Sequence, residues 1–223
     1  MSLERLEPVP PRAPRNHRDP ADYEAMQDVT RELAFSSDTW TPERQEKVKE
    51  LFDGLAPEWH TRGGEERLAP TRDALERGGV PRGGLAVEIG SGTGLQTPVL
   101  AEHFEHVVSV DLSPAMLALS PRRGDVFLLQ ADASRLPLVA GSADAVVCVN
   151  AFLFPGEYAR VLGETGVIVF VSTSGEETPI YLSDNDVTAA LSQVAGIEAT
   201  SSVYGYGTWT VARLSSRPGR LRP

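Results

Sequence analysis

Apolar residues follow two different rhythms along this chain. Up to about Gly79 they recur every three or four positions: Tyr23, Met26, Val29 and Leu33 in one stretch, then Val48, Leu51, Phe52 and Leu55 in the next. That spacing puts each set on one face of a helix. The first stretch predicts a helix from Ala21 to about Phe35. The second, TPERQEKVKELFDGL, predicts a stronger one, with Thr41 as N-cap and Pro42 at the first helical position, where a missing N–H costs nothing. A third helix is expected over Arg67 to Arg77, stopped by Gly78-Gly79. Met1 to Pro20 is rich in Pro and Arg and has no period. It predicts a disordered arm, or one draped over the surface.

After Pro81 the rhythm changes. LAVEIG, HVVSVDLS, VFLLQAD, DAVVCVN and GVIVFVS are short, β-branched runs. Helix-length segments separate them: Leu95 to His103, Pro114 to Ala118 and Gly156 to Leu162. Alternation of this kind implies βαβ units and a parallel sheet, and the scarcity of polar residues in the strands implies cover on both faces. Asp184 to Val194 reads as a further helix. EATSSVYG and GTWTVARL alternate, and predict an antiparallel pair across Tyr204 to Thr208. The domain reading is therefore an arm (1–20), a helical extension or lid (21–80), an α/β core (81–216) and a flexible tail (217–223).

Composition narrows the function. The formal net charge is −10 over 223 residues, which disfavours nucleic acid as a partner, since phosphate backbones would be repelled over most of the surface. The basic tail RPGRLRP reads as a solvated end. No run approaches the roughly 18 apolar residues of a membrane span, and the first twenty residues lack the apolar stretch of a secretory signal. A single cysteine, Cys148, rules out an internal disulfide framework, and no grouping of His, Asp and Glu suggests a metal site. A cytoplasmic protein is expected, monomeric or homodimeric, its apolar N-terminal helices closing a lid or a dimer interface.

The chemistry centres on LAVEIGSGTGLQTPVL. Gly90, Ser91, Gly92, Thr93 and Gly94 follow a strand and open a helix, a turn that lets a ligand approach the backbone. Glu88 stands two residues before the first glycine. A phosphate-binding turn gains nothing from a carboxylate there, whereas a ligand bearing an ammonium group does. Asp111 ends the next strand, where a carboxylate can accept from both hydroxyls of a ribose. It also fits a helix cap before LSPAML, a role Ser113 fits better. Asp132, at the end of VFLLQAD, is placed to meet an adenine amino group or to serve as a turn residue. Asn150 ends DAVVCVN and either contacts ligand or closes the strand.

Together these acids and glycines resemble the class I S-adenosylmethionine-dependent methyltransferases, over about Leu85 to Leu214. The resemblance implies a Rossmann-like, doubly wound seven-stranded sheet with its last strand antiparallel, and S-adenosyl-L-methionine as cofactor. It further implies that the Gly90–Gly94 turn passes the methionine part, that Asp111 holds the ribose, and that Asp132 with Ala133 holds the adenine. Leu112 and Met116 would pack near the ring or ribose, or belong to the ordinary core. FDGLAPEWH resembles the opening segment of many small members, which read F-D-x-x-A-x-x-Y-D, with Trp59 and His60 replacing the Tyr-Asp pair. An aromatic there would cover the methionine moiety or anchor the helices, and Arg62 would pair with the carboxylate. Similar pairings of this segment with ETPI occur in actinobacterial-looking methyltransferase sequences of no assigned substrate.

An oxygen acceptor needs a general base, and His60 is the candidate on chemistry, because an unperturbed imidazole titrates near 6.5. His103 and His106 sit at a helix-to-strand turn, away from the strand ends where ligands bind. Tyr181, in the unusual loop GEETPIYL, is a candidate rim residue. Two rivals share parts of the pattern. A nicotinamide-dependent oxidoreductase uses the same glycine turn and Asp111, but gives no reason for Glu88 or Asp132, and no Tyr-x-x-x-Lys pair is present. A cofactor-binding module without catalysis is the other.

Overall fold

The computed structural model describes residues 1–11, 17, 19–59, 61 and 64–215. His60, Arg62 and the tail 217–223 lie outside them. Strands β1 (Ser2–Arg5), β2 (Leu85–Ile89), β3 (His106–Asp111), β4 (Val126–Gln130), β5 (Ala143–Val149), β6 (Leu162–Ser172), β7 (Gly196–Tyr204) and β8 (Gly207–Ser215) form one sheet in the order β1-β7-β8-β6-β5-β2-β3-β4. β8 runs antiparallel to both neighbours, and every other pairing is parallel. The expected α/β sheet with an antiparallel last strand is present.

Among the described residues the strand count is eight rather than seven. The extra strand is Ser2–Arg5, inside the stretch expected to be disordered or draped. It is mostly polar and joins the sheet edge through its backbone and through Arg5, with Leu3 its one apolar contact with the core, so no apolar period announces it.

The helices are α1 (Glu24–Phe35), α2 (Pro42–Trp59), α3 (Glu65–Arg77), α4 (Thr97–Ala101), α5 (Pro114–Leu119), α6 (Pro155–Val161) and α7 (Asp184–Ser192). α3 and α4 cover one face of the sheet; α1, α6 and α7 cover the other. This explains the near-continuous apolar strands: β5 is buried at six of its seven positions, interrupted only by Asp144. α3 is fixed by Trp209 of β8, whose buried indole N–H donates to Asp73 Oδ2 at 2.7 Å. α4 is shorter than the expected Leu95 to His103, because the chain is still turning through Gly94–Gln96.

β2 is the switch point. The chain winds outward through β3 and β4 on one side, then returns to β5 on the other. A crevice opens at the carboxyl ends of the strands at such a reversal. α2 closes it from above. Its Asp53 accepts from Ser113 Oγ and, at 3.3 Å, from the Ala115 N–H, which anchors α2 to the start of α5. Among the described residues no helix is long and apolar enough to cross a membrane.

Candidate functional site

The glycines after β2 are demanded by conformation. Gly90, Gly92 and Gly94 have φ of 64°, 56° and 78°, the left-handed region that L side chains avoid. Space is short as well. A Cβ on Gly90 would stand 2.9 Å from Ala151 Cβ, and one on Gly92 would stand 3.2 Å from Trp59 Nε1. The indole of Trp59 thus lies directly over the turn.

Asp111 holds that turn in shape. Its Oδ2 accepts from the Gly92 N–H at 2.7 Å and its Oδ1 from the Ser113 N–H at 2.8 Å. Burial pushes its carboxyl above the usual range, while these N–H groups and that of Leu112 pull it back. Ser113 takes the cap, accepting from the Met116 N–H at 3.1 Å. Of the two cap candidates Ser113 is therefore the cap, and Asp111 organises the turn and lines the crevice.

Glu88 is placed differently from a ligand contact. It is 2% exposed and lies beneath the turn, its Oε2 accepting from Ser109 Oγ at 2.6 Å and Thr97 Oγ1 at 2.7 Å. It therefore ties β2 to β3 and to the start of α4. Burial pushes its carboxyl up to about 7, against the pull of the two hydroxyls, and the nearby Asp111 charge adds to the rise.

One cavity at the strand ends gathers Trp59, Gly90, Ser91, Gly92, Asp111, Leu112, Met116, Asp132, Ala133 and Asn150. Glu88, Thr93 and Gly94 do not line it. Asp132 accepts at Oδ1 from Trp40 Nε1 (3.0 Å) and from the Ser134 N–H (2.8 Å). Trp40 packs on Phe152 and Phe154 with ring centroids 5.4 and 5.7 Å away, and all three rings line the cavity. Asn150 is the one non-glycine residue with positive φ, 52°, among those described. Its Nδ2 donates to Thr173 Oγ1 and its Oδ1 accepts from the Thr173 N–H, both at 2.9 Å. Left-handed backbone costs on the order of 1 kcal/mol and collects at functional sites; here the side chain that carries it also stitches β5 to β6.

Two polar atoms in this cavity wait for a partner. Ser91 Oγ and Gln96 Oε1 are buried without hydrogen bonds. Gln96 gives its Nε2 to Arg67 O at 2.8 Å, which leaves its carbonyl oxygen for another donor. A buried unpaired group of this kind costs about 1–3 kcal/mol, and a ligand with an ammonium or hydroxyl group would remove that cost.

A second, larger cavity of about 1120 Å³ adjoins the first. The two share Phe52, Trp59, Arg67, Asn150 and Ile180. Its walls come from the arm, α1, α2, α3, the loop after β6 and the β7–β8 turn. Tyr181, the expected rim residue, lines neither cavity; its neighbour Ile180 lines both. Leu51, expected on the apolar face of α2, is 45% exposed and borders the larger cavity. His103 bonds Val80 O at 3.1 Å and His106 opens β3, so both lie at the opposite end of the sheet. Sequence reasoning missed Trp40, Gln96 and Arg67. Trp40 and Arg67 sit in no motif and are brought to the strand ends by the winding of the chain, and Gln96, two residues past the last glycine of the turn, has no spacing that marks it.

Residues 87–170 match the family model of a methyltransferase domain. Over this segment the chain carries a methyltransferase domain. A methyltransferase domain supports S-adenosylmethionine as the cofactor over the nicotinamide alternative. No curated protein matches the sequence significantly. The fold is similar to that of DhpI in its SAH complex, at 19% identity and a TM-score of 0.63 over 78% of this chain and 98% of that one. It is also similar to the DhpI–SAM–HEP complex (21%, 0.61, 75% and 96%), and to a SAM-dependent methyltransferase from Aquifex aeolicus (17%, 0.53, 89% and 100%). The matched residues run from β2 into β6. The methyltransferase therefore takes its three N-terminal helices and the β7–β8 hairpin from outside the matched segment.

Proposed function

We propose that the chain transfers the methyl group of S-adenosylmethionine to an oxygen or nitrogen atom of a small-molecule acceptor. The observation that carries this reading is the pair of adjoining cavities, one built on the glycine turn, the other walled by elements outside the matched segment. In the first, Asp111 would hold the ribose hydroxyls, Asp132 and Ala133 the adenine, and Ser91 and Gln96 the polar end of the methionine moiety. Their unpaired buried atoms supply the fit. Bound there, the cofactor supplies an electrophilic methyl group on a cationic sulfur.

The chain's own residues then have three tasks. Phe52 and Trp59, edge to face at 5.7 Å, cover the junction and exclude water, which strengthens every polar contact inside. Asn150 and Arg67 stand where the two cavities meet and orient the acceptor, since alignment supplies much of the rate of an in-line displacement. His60, which follows Trp59 directly, takes the proton from an acceptor hydroxyl.

The test is methyl transfer from isotopically labelled S-adenosylmethionine to a panel of phenols, alcohols and amines, with the His60→Ala variant alongside. Product is expected with the wild type, and turnover in the variant falls by roughly 10²–10⁴-fold at unchanged cofactor affinity. Unchanged turnover would assign His60 to packing. Saturable cofactor binding without turnover across the panel would favour a non-catalytic module.

A further inference from the structure

Hydrogen bonds tie residues 2–9 to the sheet edge, and the two prolines that follow lie at the larger cavity. β1 pairs with β7 from Ser2↔Glu198 to Arg5↔Ser201. The ladder continues past the strand: the Leu6 N–H donates to Ser201 O (2.9 Å), the Val9 N–H to Val203 O (2.8 Å), and the Gly205 N–H to Val9 O (2.8 Å). Side chains clamp it from both sides. Arg5 donates to both carboxylate oxygens of Asp184 at 2.8 and 3.2 Å, and to Asn185 Oδ1 at 2.8 Å. Arg77 donates to Glu7 O at 2.6 Å, and Ser202 Oγ lies 3.1 Å from the same oxygen. Most residues of the arm are exposed, and only Leu3 and Leu6 pack against the core.

Its outcome is positional. Val9, Pro10 and Pro11 are delivered to the larger cavity beside Tyr204 and Tyr206, with Met26 among the residues of the remaining wall. Proline carries no N–H and has φ fixed near −65°, so two in succession make a stiff wall that requires no hydrogen-bond partner. The arm touches none of the cavity built on the glycine turn.

We propose that this edge-added arm is the outer wall of the acceptor cavity and sets the largest acceptor that can enter. The inference rests on reading the larger cavity as the acceptor site. The arm is a specificity-determining segment, not part of the cofactor site, and changing it alters which acceptors fit while leaving cofactor binding as it was.

Thiol labelling tests this without a known acceptor. Cys148 is buried, so in an Ile180→Cys protein the new thiol, at a position 7% exposed in the native chain, is the reactive one. It is labelled with methyl methanethiosulfonate, which is small, and with a bulky pyrenyl maleimide. The ratio of bulky to small rates is compared before and after adding Val9→Gly, Pro10→Gly and Pro11→Gly together, and separately before and after Arg5→Ala, which frees the arm without touching the cavity. The ratio is expected to rise roughly ten-fold in the triple variant and to rise in Arg5→Ala as local opening becomes easier. An unchanged ratio in both overturns the proposal. Melting with S-adenosylmethionine is recorded on the same arm variants carrying the native Ile180, because Ile180 also lines the cofactor cavity. A ratio that responds without any cofactor shift would contradict the functional reading while leaving the arm's role as a wall intact.

Discussion

Asp111→Ala is expected to lower the affinity for S-adenosylmethionine by about 1.5–3 kcal/mol, roughly 10- to 150-fold. Two losses contribute. The carboxylate is the candidate acceptor for the ribose hydroxyls, and charge-assisted hydrogen bonds lie in that range. It is also the clamp that holds the Gly92 and Ser113 N–H groups, so its removal loosens the turn that receives the ligand. Asp111→Asn separates the two. An amide oxygen still accepts from one N–H and keeps part of the turn, but it cannot receive two hydroxyls with a full negative charge. Calorimetric titration should place Asn between wild type and Ala. Wild-type affinity in the Ala variant would remove Asp111 from the ribose site.

Glu88→Gln should make the protein more stable at pH 8 and leave it nearly unchanged at pH 5. In the folded chain burial raises the Glu88 carboxyl from 4.5 to about 7. Between those values the folded state keeps a proton that the unfolded state has lost. The group's contribution to stability is therefore greatest at low pH, declines as pH rises towards 7, and is level above it. The decline is on the order of 3 kcal/mol, or roughly 6–12 °C in melting temperature for a chain of this size. Glutamine has the same shape and still accepts from Ser109 and Thr97, yet carries no charge to desolvate. A gain at pH 8 that is absent at pH 5 is the expected signature in thermal melts. Equal effects at both pH values would mean that Glu88 is ionised at little cost in the folded chain.

The same residue shows what the sequence reveals and what it hides. A carboxylate before a glycine turn is conspicuous, and its lack of fit to a phosphate ligand is sound chemistry. Its partners Ser109 and Thr97, however, are 21 and 9 residues away, and nothing local says that they close over it. Five of the eight strands are legible as short β-branched runs, and β7 and β8 by their alternation. The eighth is illegible because an edge strand is held by its backbone and by polar side chains such as Arg5, which set no apolar period. The acids and glycines of the cofactor cavity are legible because each ends a strand. Trp40, Gln96 and Arg67 are contributed by a link, a turn and a helix start, where residue type is unconstrained by period. Leu51 satisfies the helical spacing of a core residue and still points to the larger cavity, since spacing defines a face but not what covers it.

The most direct test of the central claim is thermal melting of the full chain with S-adenosylmethionine, S-adenosylhomocysteine, NADH and NADPH, each near a hundred times its expected dissociation constant. Ligand at that level adds about 2.7 kcal/mol, or roughly 5–10 °C here. Stabilisation by the two sulfur ligands alone is the expected result. Stabilisation by a nicotinamide alone, with none from S-adenosylmethionine, would contradict the assignment of the glycine turn, Asp111 and Asp132 to a methyl donor.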